Sequence, residues 1–190
     1  MFEIKPTKNY GLTDKELFKV TGSIPVVSNS LANNGIKGYI SKQATEKGNM
    51  VTFSDTTTDE AIFYQPIPFI GYSHIQGMQP KIYEEKWNFR TYSYLISAMR
   101  YAIKGKYNYG SKFNRERANK TTVLLPIKGT QPDFEFMENF IAELKAYLLA
   151  TGLSDYILSD EERAVLELFR KNKTRQWLKF STGDLFDILT

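Results

Sequence analysis

The spacing of the apolar residues changes along this chain, and that change constrains the fold more than any other feature of the sequence. Before residue 83 the apolar runs are short and alternate with turn-forming residues, as at residues 36–40, 50–53 and 61–65. Runs of this length and spacing predict short β-strands. From residue 89 to 103, and again from Asp133, apolar residues recur at helical intervals. The sequence therefore predicts an α+β fold whose mostly β part precedes a helical part.

Local signals predict where several elements begin and end. Residues 13–16 form a capping box that opens a short helix. Pro25 indicates that the strand around it lies at the edge of a sheet. The helix that starts at residue 89 is expected to end near Gly105. We interpret residues 107–120 as a loop and residues 122–127 as a strand behind it.

Composition excludes several kinds of site. The 190 residues include no cysteine and a single histidine, His74. Disulfides, thiolate nucleophiles and cysteine zinc sites are therefore excluded, and no pair of histidines exists to hold a metal. No apolar run approaches the roughly 18 residues of a membrane span, and the amino terminus lacks a signal-peptide core. We expect a soluble, cytoplasmic protein with no metal site and no membrane association.

Positive charge is concentrated between residues 99 and 127. The formal charge of the whole chain is only +4, yet seven cations between residues 100 and 120 face one acid, Glu116. Aromatic residues and glycines are interleaved with these cations. Cations for phosphates, flat rings for bases or sugars, and glycines that permit close approach are what a polyanion-binding surface requires. The segment therefore indicates nucleic-acid binding, the alternative being a solvated basic loop.

The candidate DNA-binding residues fall into two groups. The polar tract of residues 28–35 carries amides and hydroxyls that can read base edges, although a plain hairpin loop has the same composition. The lysines and arginines of the basic stretch would neutralise phosphates, and its arginines and Asn114 also match guanine and adenine in the major groove. Its tyrosines either stack on sugars or fix the loop. The full set is Asn29, Asn33, Asn34, Lys104, Lys106, Tyr107, Tyr109, Lys112, Asn114, Arg115, Arg117 and Lys120.

The carboxyl-terminal part carries a helical apolar stripe. Asp133 is a candidate helix cap, and Ser159 with Glu162 forms a second capping box. We predict two amphipathic helices joined by a turn at residues 152–159, with the stripe packed on the β part or on a partner chain. The residues predicted for this dimer or partner interface are Met137, Phe140, Ile141, Leu144, Leu148, Val165 and Phe169.

The end of the chain echoes its beginning. The last residues include GDLFDI at 183–188, and the first four residues are MFEI. The match suggests the opening strand of a second copy of the domain, or one unit of a modular array. We therefore divide the chain into a globular domain at residues 1–130, a helical spacer or dimerisation region at 131–175, and the start of a second domain-like segment at 176–190.

Six short motifs lie in an order that is specific when they are taken together. They are NGIKGYI at 34–40, FYQ at 63–65, KYNYGSKF at 106–113, LLP at 124–126, PDFEFME at 132–138 and WLKFSTGDLF at 177–186. In this order they resemble the target-recognition domain of type I restriction-modification specificity subunits. Recognition regions of some type II enzymes that fuse cutting and methylation are similar. The resemblance covers nearly the whole chain.

The resemblance implies a domain that reads one half of a split double-stranded DNA target, followed by a coiled-coil-like spacer. Specificity subunits of this kind bind a methyltransferase subunit and a restriction (translocase) subunit, and contain no catalytic residues. With one recognition domain, this chain resembles a half-subunit that would either act as a homodimer or derive from a larger protein. S-adenosylmethionine, ATP and magnesium would belong to the partner subunits, and the chain itself needs no cofactor. The predicted break at residues 152–159 departs from an unbroken spacer helix.

Two other functions fit parts of the sequence. Asp55, Glu84 and Lys86 mimic the carboxylate-x-Lys spacing of many magnesium-dependent nucleases. Such spacings arise often by chance, a solvated turn explains them more simply, and no methyltransferase or phosphate-loop motif occurs. The remaining alternative is a protein-interaction module that works through its helical hairpin.

Overall fold

The computed structural model describes residues 1–56, 61–107 and 110–153. Its elements are, in chain order, β1 (Phe2–Pro6), α1 (Asp14–Leu17), β2 (Thr21–Val27), β3 (Ile36–Ile40), β4 (Met50–Ser54), β5 (Ile62–Gln65), β6 (Ile70–Gly71), β7 (Ile75–Pro80), α2 (Phe89–Ile103), α3 (Arg115–Lys120), β8 (Ile127–Lys128), β9 (Gln131–Pro132) and α4 (Phe134–Ala150). The predicted α+β class, with the strands largely before the helices, is confirmed.

The first seven strands form two small sheets. The first sheet has the order β1-β7-β4-β5 with antiparallel neighbours. In the second sheet β2 lies between antiparallel β3 and parallel β6. The prediction that Pro25 marks an edge strand was therefore wrong. Pro25 is tolerated because β6 pairs only with Val26 and Val27, so no ladder on that side requires its missing N–H group.

The main hydrophobic core lies between the first sheet and α2. The buried positions of α2 recur at helical spacing and meet buried residues of β4, β5 and β7. Full burial of such a side chain stabilises the fold by about 1.5–3 kcal/mol. The helix has the predicted bounds because Asn88 caps it, its side-chain oxygen accepting the N–H of Arg90 at 2.9 Å. The α2 residues in this core are Tyr92, Leu95, Met99 and Ile103.

A smaller core lies under the second sheet. The predicted capping box is confirmed, since the Thr13 side chain accepts the N–H of Glu16 and Glu16 bonds back to the N–H of Thr13. This cap starts α1 and directs Leu17, which is 3% exposed, into the core beside Val26 and Ile40.

Two predictions about residues 107–127 were wrong. Residues 115–120 form α3 instead of continuing a loop, because Asn114 caps the helix and Glu116 pairs with Lys120 one turn later. Residues 122–126 do not form a strand. Val123 and Leu125 point into the core as a strand would, but no described strand lies beside them to share a ladder. Pairing begins only at Ile127, in the short β8–β9 ladder.

The chain divides into two compact units, one at Met1–Lys145 and one at Ala146–Thr190. The predicted cap of α4 is present, because the Asp133 carboxylate accepts the N–H of Phe136 at 3.0 Å. The second predicted helix, with Val165 and Phe169, and residues 176–190 lie outside the described residues, and the division at residue 130 stays a prediction. Within the described part, no helix is both long and apolar enough to cross a membrane.

Candidate nucleic-acid interface

The basic segment, residues 104–120, runs from the end of α2 through α3. Gly105, at φ 71°, takes the left-handed conformation that ends α2. Phe113 then anchors the segment, being 1% exposed, with its ring centroid 5.1 Å from that of Phe53 in β4 and 5.2 Å from that of Tyr107. Tyr107 therefore packs under the segment, the second of its two predicted roles. Tyr109 lies outside the described residues.

Two of the predicted base readers hold the basic segment together. The Asn114 side-chain oxygen accepts the N–H of Arg117 at 3.0 Å and so caps α3. The Arg117 guanidinium donates to the carbonyl of Lys112 at 2.6 Å and lies 5.6 Å from the centroid of the Tyr107 ring. These contacts tie Lys112, Asn114 and Arg117 to one another and to the Tyr107 ring. An asparagine directly before a helix-forming run is a sequence signal for a cap, and it could have predicted this role of Asn114.

The outer side of the basic segment carries the charge. Lys104, Lys106, Arg115 and Lys120 are exposed, and Lys112 is half-buried. Lys120 lies 2.6 Å from the Glu116 carboxylate and holds the pKa of that group below its ordinary value, mainly through its hydrogen bond. The segment thus has an inner side that packs on the domain and an outer side that exposes cations.

The polar tract forms the turn of the β2–β3 hairpin, as the simpler prediction had it. Asn33 and Asn34 take left-handed φ values of 50° and 56°, which asparagine tolerates better than most residues. The Asn34 amide donates to the carbonyl of Tyr64 at 2.7 Å, and Gln65 donates back to the carbonyl of Asn34 at 3.1 Å. Asn34 therefore ties the turn to β5. Asn33 and Asn29 are exposed on the turn.

Helix α2 reaches β5 from the other side through Arg100. Its guanidinium donates to the carbonyl of Ile62 at 2.8 Å and lies 5.8 Å from the centroid of the Phe63 ring. Between the Asn34 turn and α2 lies a shallow groove of about 560 Å³, the α2–β5 groove. Sequence reasoning missed it, because its walls come from three separate segments. Its lining includes Asn34, Phe63, Tyr64, Phe89, Ser93 and Arg100.

The carboxylate-x-Lys pattern is not assembled into one site. Asp55 donates its backbone N–H to the carbonyl of His74 just before β7, whereas Glu84 follows the far end of that strand. The six residues of β7 place these groups on the order of 17 Å apart. The Asp55 carboxylate instead accepts a hydrogen bond from Gln76 at 2.8 Å. Among the described residues, no group of three or more acids and histidines is placed to hold a metal ion.

The stripe on α4 is only partly covered within the chain. Met137 is fully buried, so it packs on its own domain. Phe140 remains 47% exposed although its ring lies 5.6 Å from that of Tyr94, and Leu144 is 44% exposed. Ile141 and Leu148 are half-buried.

The sequence of residues 1–151 matches the protein-family model of the type I restriction modification DNA specificity domain. The chain belongs to this family. The resemblance seen in the sequence motifs is thereby confirmed, and the basic segment and the Asn34 turn both lie inside the matched specificity domain.

Two known proteins are similar to this specificity domain. It is 30% identical over 130 residues to the specificity subunit S.BcgI of a type II restriction enzyme from Heyndrickxia coagulans. The aligned region covers 65% of this chain and 36% of that protein. The S subunit of a type I restriction-modification system from M. genitalium shares the fold, with a TM-score of 0.52 at 16% identity over 90% of this chain and 41% of the other. The chain thus spans well under half the length of both.

Proposed function

We propose that this specificity domain reads one half of a bipartite double-stranded DNA target as part of a homodimer, and directs a methyltransferase subunit and a restriction subunit to it. The observation that carries the proposal is the two-sided basic segment. Phe113 and Arg117 fix its path from inside, while its outer cations are exposed. Cations carried on a backbone that is already fixed bind phosphates at a smaller cost of ordering than cations on a free loop.

Affinity and sequence discrimination come from different side chains. Lys104, Lys106 and Lys112 contact phosphates and set the register of the domain on the duplex, which carries no sequence information. Base edges are read by exposed side chains of the matching chemistry, Arg115 for guanine and Asn29 with Asn33 for adenine. This readout is supported by Asn114, Arg117 and Asn34. Their hydrogen bonds fix the backbone that carries the base-reading side chains.

The chemistry of restriction and modification lies in the partner subunits under this proposal. The chain acts in the cytoplasm as a specificity component without a catalytic site, and the partners bring S-adenosylmethionine, ATP and magnesium. The exposed Phe140 and Leu144 of α4 support pairing with a second copy or with a partner subunit. A second candidate is the same reading role in a type II enzyme, which the similarity to S.BcgI favours.

Selection from a random duplex pool, with the full chain and its methyltransferase partner, tests the proposal. We expect one enriched half-site, or two half-sites at a fixed spacing, and affinity for it that falls steeply between about 50 and 200 mM salt. A pool without enrichment, or binding that ignores salt, would overturn the DNA-reading role. DNA cleavage by the isolated chain with magnesium would overturn the assignment of chemistry to the partners.

A further inference from the structure

We propose that the α2–β5 groove is a second contact to the bound DNA and takes a sugar–phosphate unit of the strand that the basic segment grips. This inference rests on the proposed function and extends it to residues that lie outside both predicted groups. The groove lies between the Asn34 turn, which belongs to the proposed DNA-binding residues, and the helix that leads into the basic segment.

The charge of the groove fits a phosphate. Its described lining residues include the Arg100 guanidinium and no aspartate or glutamate. Helix α2 itself contains no acid from Phe89 to Ile103. Lys104 follows Arg100 by four residues, the spacing that places side chains on one helical face, so positive charge continues from the groove into the basic segment. A guanidinium keeps its charge and its planar shape matches a phosphate, and that of Arg100 is oriented by its bond to the Ile62 carbonyl.

The shape and the rings of the groove fit a sugar. Its volume of about 560 Å³ lies within the range of sites that hold a small organic group, about 300–1,000 Å³. Phe89 is 53% exposed at its mouth, and its ring centroid lies 5.8 Å from that of Tyr64. Phe89, Ser93 and Arg100 recur along one face of α2, so a single extended strand can pass all three.

Two serines provide a matched pair of variants. Ser93 lines the groove, and its hydroxyl donates to the carbonyl of Phe89 in its own helix, at 2.7 Å. Ser93→Glu therefore places a carboxylate in the groove, on the face of α2 that also carries Arg100 two turns further on, and removes neither of the side chains that bond to β5. Ser41→Glu makes the same change at an exposed site after β3, on the order of 15 Å along that strand from the Asn34 turn. That separation exceeds the screening length of about 8 Å at physiological salt.

The experiment measures the dissociation constant of a labelled duplex carrying the selected target, by fluorescence anisotropy, between about 50 and 200 mM salt. We expect Ser93→Glu to weaken binding and to lower the salt slope by about 0.9 units, which changes its affinity ratio to the unsubstituted chain about 3.5-fold across this range. Ser41→Glu should have the same affinity and the same salt slope as the unsubstituted chain. Phe89→Ala should weaken binding by the same factor at every salt concentration, since no charge is lost.

The outcomes separate the two proposals. If the unsubstituted chain does not bind the duplex in a salt-dependent way, the proposed function fails. If it binds steeply and both glutamate variants match it, the function stands and the groove contact is refuted. Hydroxyl-radical footprinting gives an independent reading should Ser93→Glu unfold. Phe89→Ala should then lose protection of the sugars at one edge of the footprint, and an unchanged footprint would refute the contact.

Discussion

Replacing Arg115 by Ala is expected to weaken DNA binding without destabilising the fold, whereas the same change at Arg117 should destabilise the fold as well. The two arginines lie two residues apart in α3 and carry the same charge. Arg115 is exposed, while Arg117 is half-buried between the Lys112 carbonyl and the Tyr107 ring. The structure therefore separates an exposed cation from a structural one within a single helical turn.

The magnitudes follow from these contacts. Although Arg115 is proposed to read a base, its cation also displaces a counterion from the neighbouring phosphates, so its loss lowers the salt slope by up to about 0.9 units and changes the affinity ratio by up to about 3.5-fold between about 50 and 200 mM salt. For Arg117, a charged hydrogen bond and a cation–π contact at a half-buried site together stabilise the fold by about 1–3 kcal/mol. In a chain of this length, each kcal/mol lowers the melting temperature by about 2–4 °C.

The assay pairs thermal unfolding with the salt titration for both variants. Arg115→Ala should have the same melting temperature as the unsubstituted chain, and its affinity for DNA should fall less steeply with salt concentration. Arg117→Ala should melt earlier, and at temperatures where it is folded it should also bind more weakly, because the path of the segment is less fixed. Equal melting temperatures for the two variants would refute the structural role of Arg117, and an unchanged slope for Arg115→Ala would refute its contact with DNA.

Three further predictions concern the scaffold. Phe113→Ala should lower the free energy of unfolding in urea by about 3–5 kcal/mol, since it leaves a cavity against β4; a loss below about 1 kcal/mol would mean that the anchor is dispensable. Asn34→Ala should weaken target binding and lower the free energy of unfolding by about 1–3 kcal/mol. The Tyr64 carbonyl would lose its hydrogen-bond donor, and alanine would have to adopt the left-handed conformation of Asn34. Unchanged thermal unfolding would contradict this role. Hydrogen bonds from Lys37 and Tyr72 lower the pKa of Asp14 in the folded state. The resulting stability is present above the ordinary carboxyl pKa and is lost as the pH falls through the lowered value. Asp14→Asn should therefore show a smaller loss of stability on acidification in urea unfolding across that pH range, and curves of equal shape would refute the contribution.

Local signals in the sequence predicted the elements that depend on local chemistry. The capping box at Thr13 and the apolar spacing of α2 act within a few residues, so both predictions were confirmed. The prediction of a strand at residues 122–127 was wrong because a strand depends on a partner that is distant in the sequence. Val123 and Leu125 do pack inward, as alternate residues of a strand would, but a strand also requires a neighbour, and the pattern of one segment does not reveal whether a neighbour exists.

The candidate site likewise combines features that the sequence predicted with features that only the packed fold reveals. Composition located the basic segment and the polar tract, because charge and amide content are properties of the sequence itself. Composition did not reveal the side on which each residue lies, since Asn114 and Arg115 are neighbours with opposite tasks. Nor did it reveal the α2–β5 groove, because Asn34, Tyr64 and Ser93 meet only after the hairpin, the sheet and the helix have packed.

Strand β5 connects the stability of the fold to the proposed function. It is the last strand in the order of the first sheet, and an edge strand presents backbone groups that invite pairing with other chains. Here Arg100 donates to the carbonyl of Ile62, and Asn34 donates to that of Tyr64, so two side chains cover the edge. The same two side chains form opposite walls of the groove. Removing Arg100 would therefore expose the edge and remove the groove's charge together, and its effect on binding could not be interpreted alone. Ser93→Glu retains both of these side chains, which is why it can distinguish a DNA contact from a weakened fold.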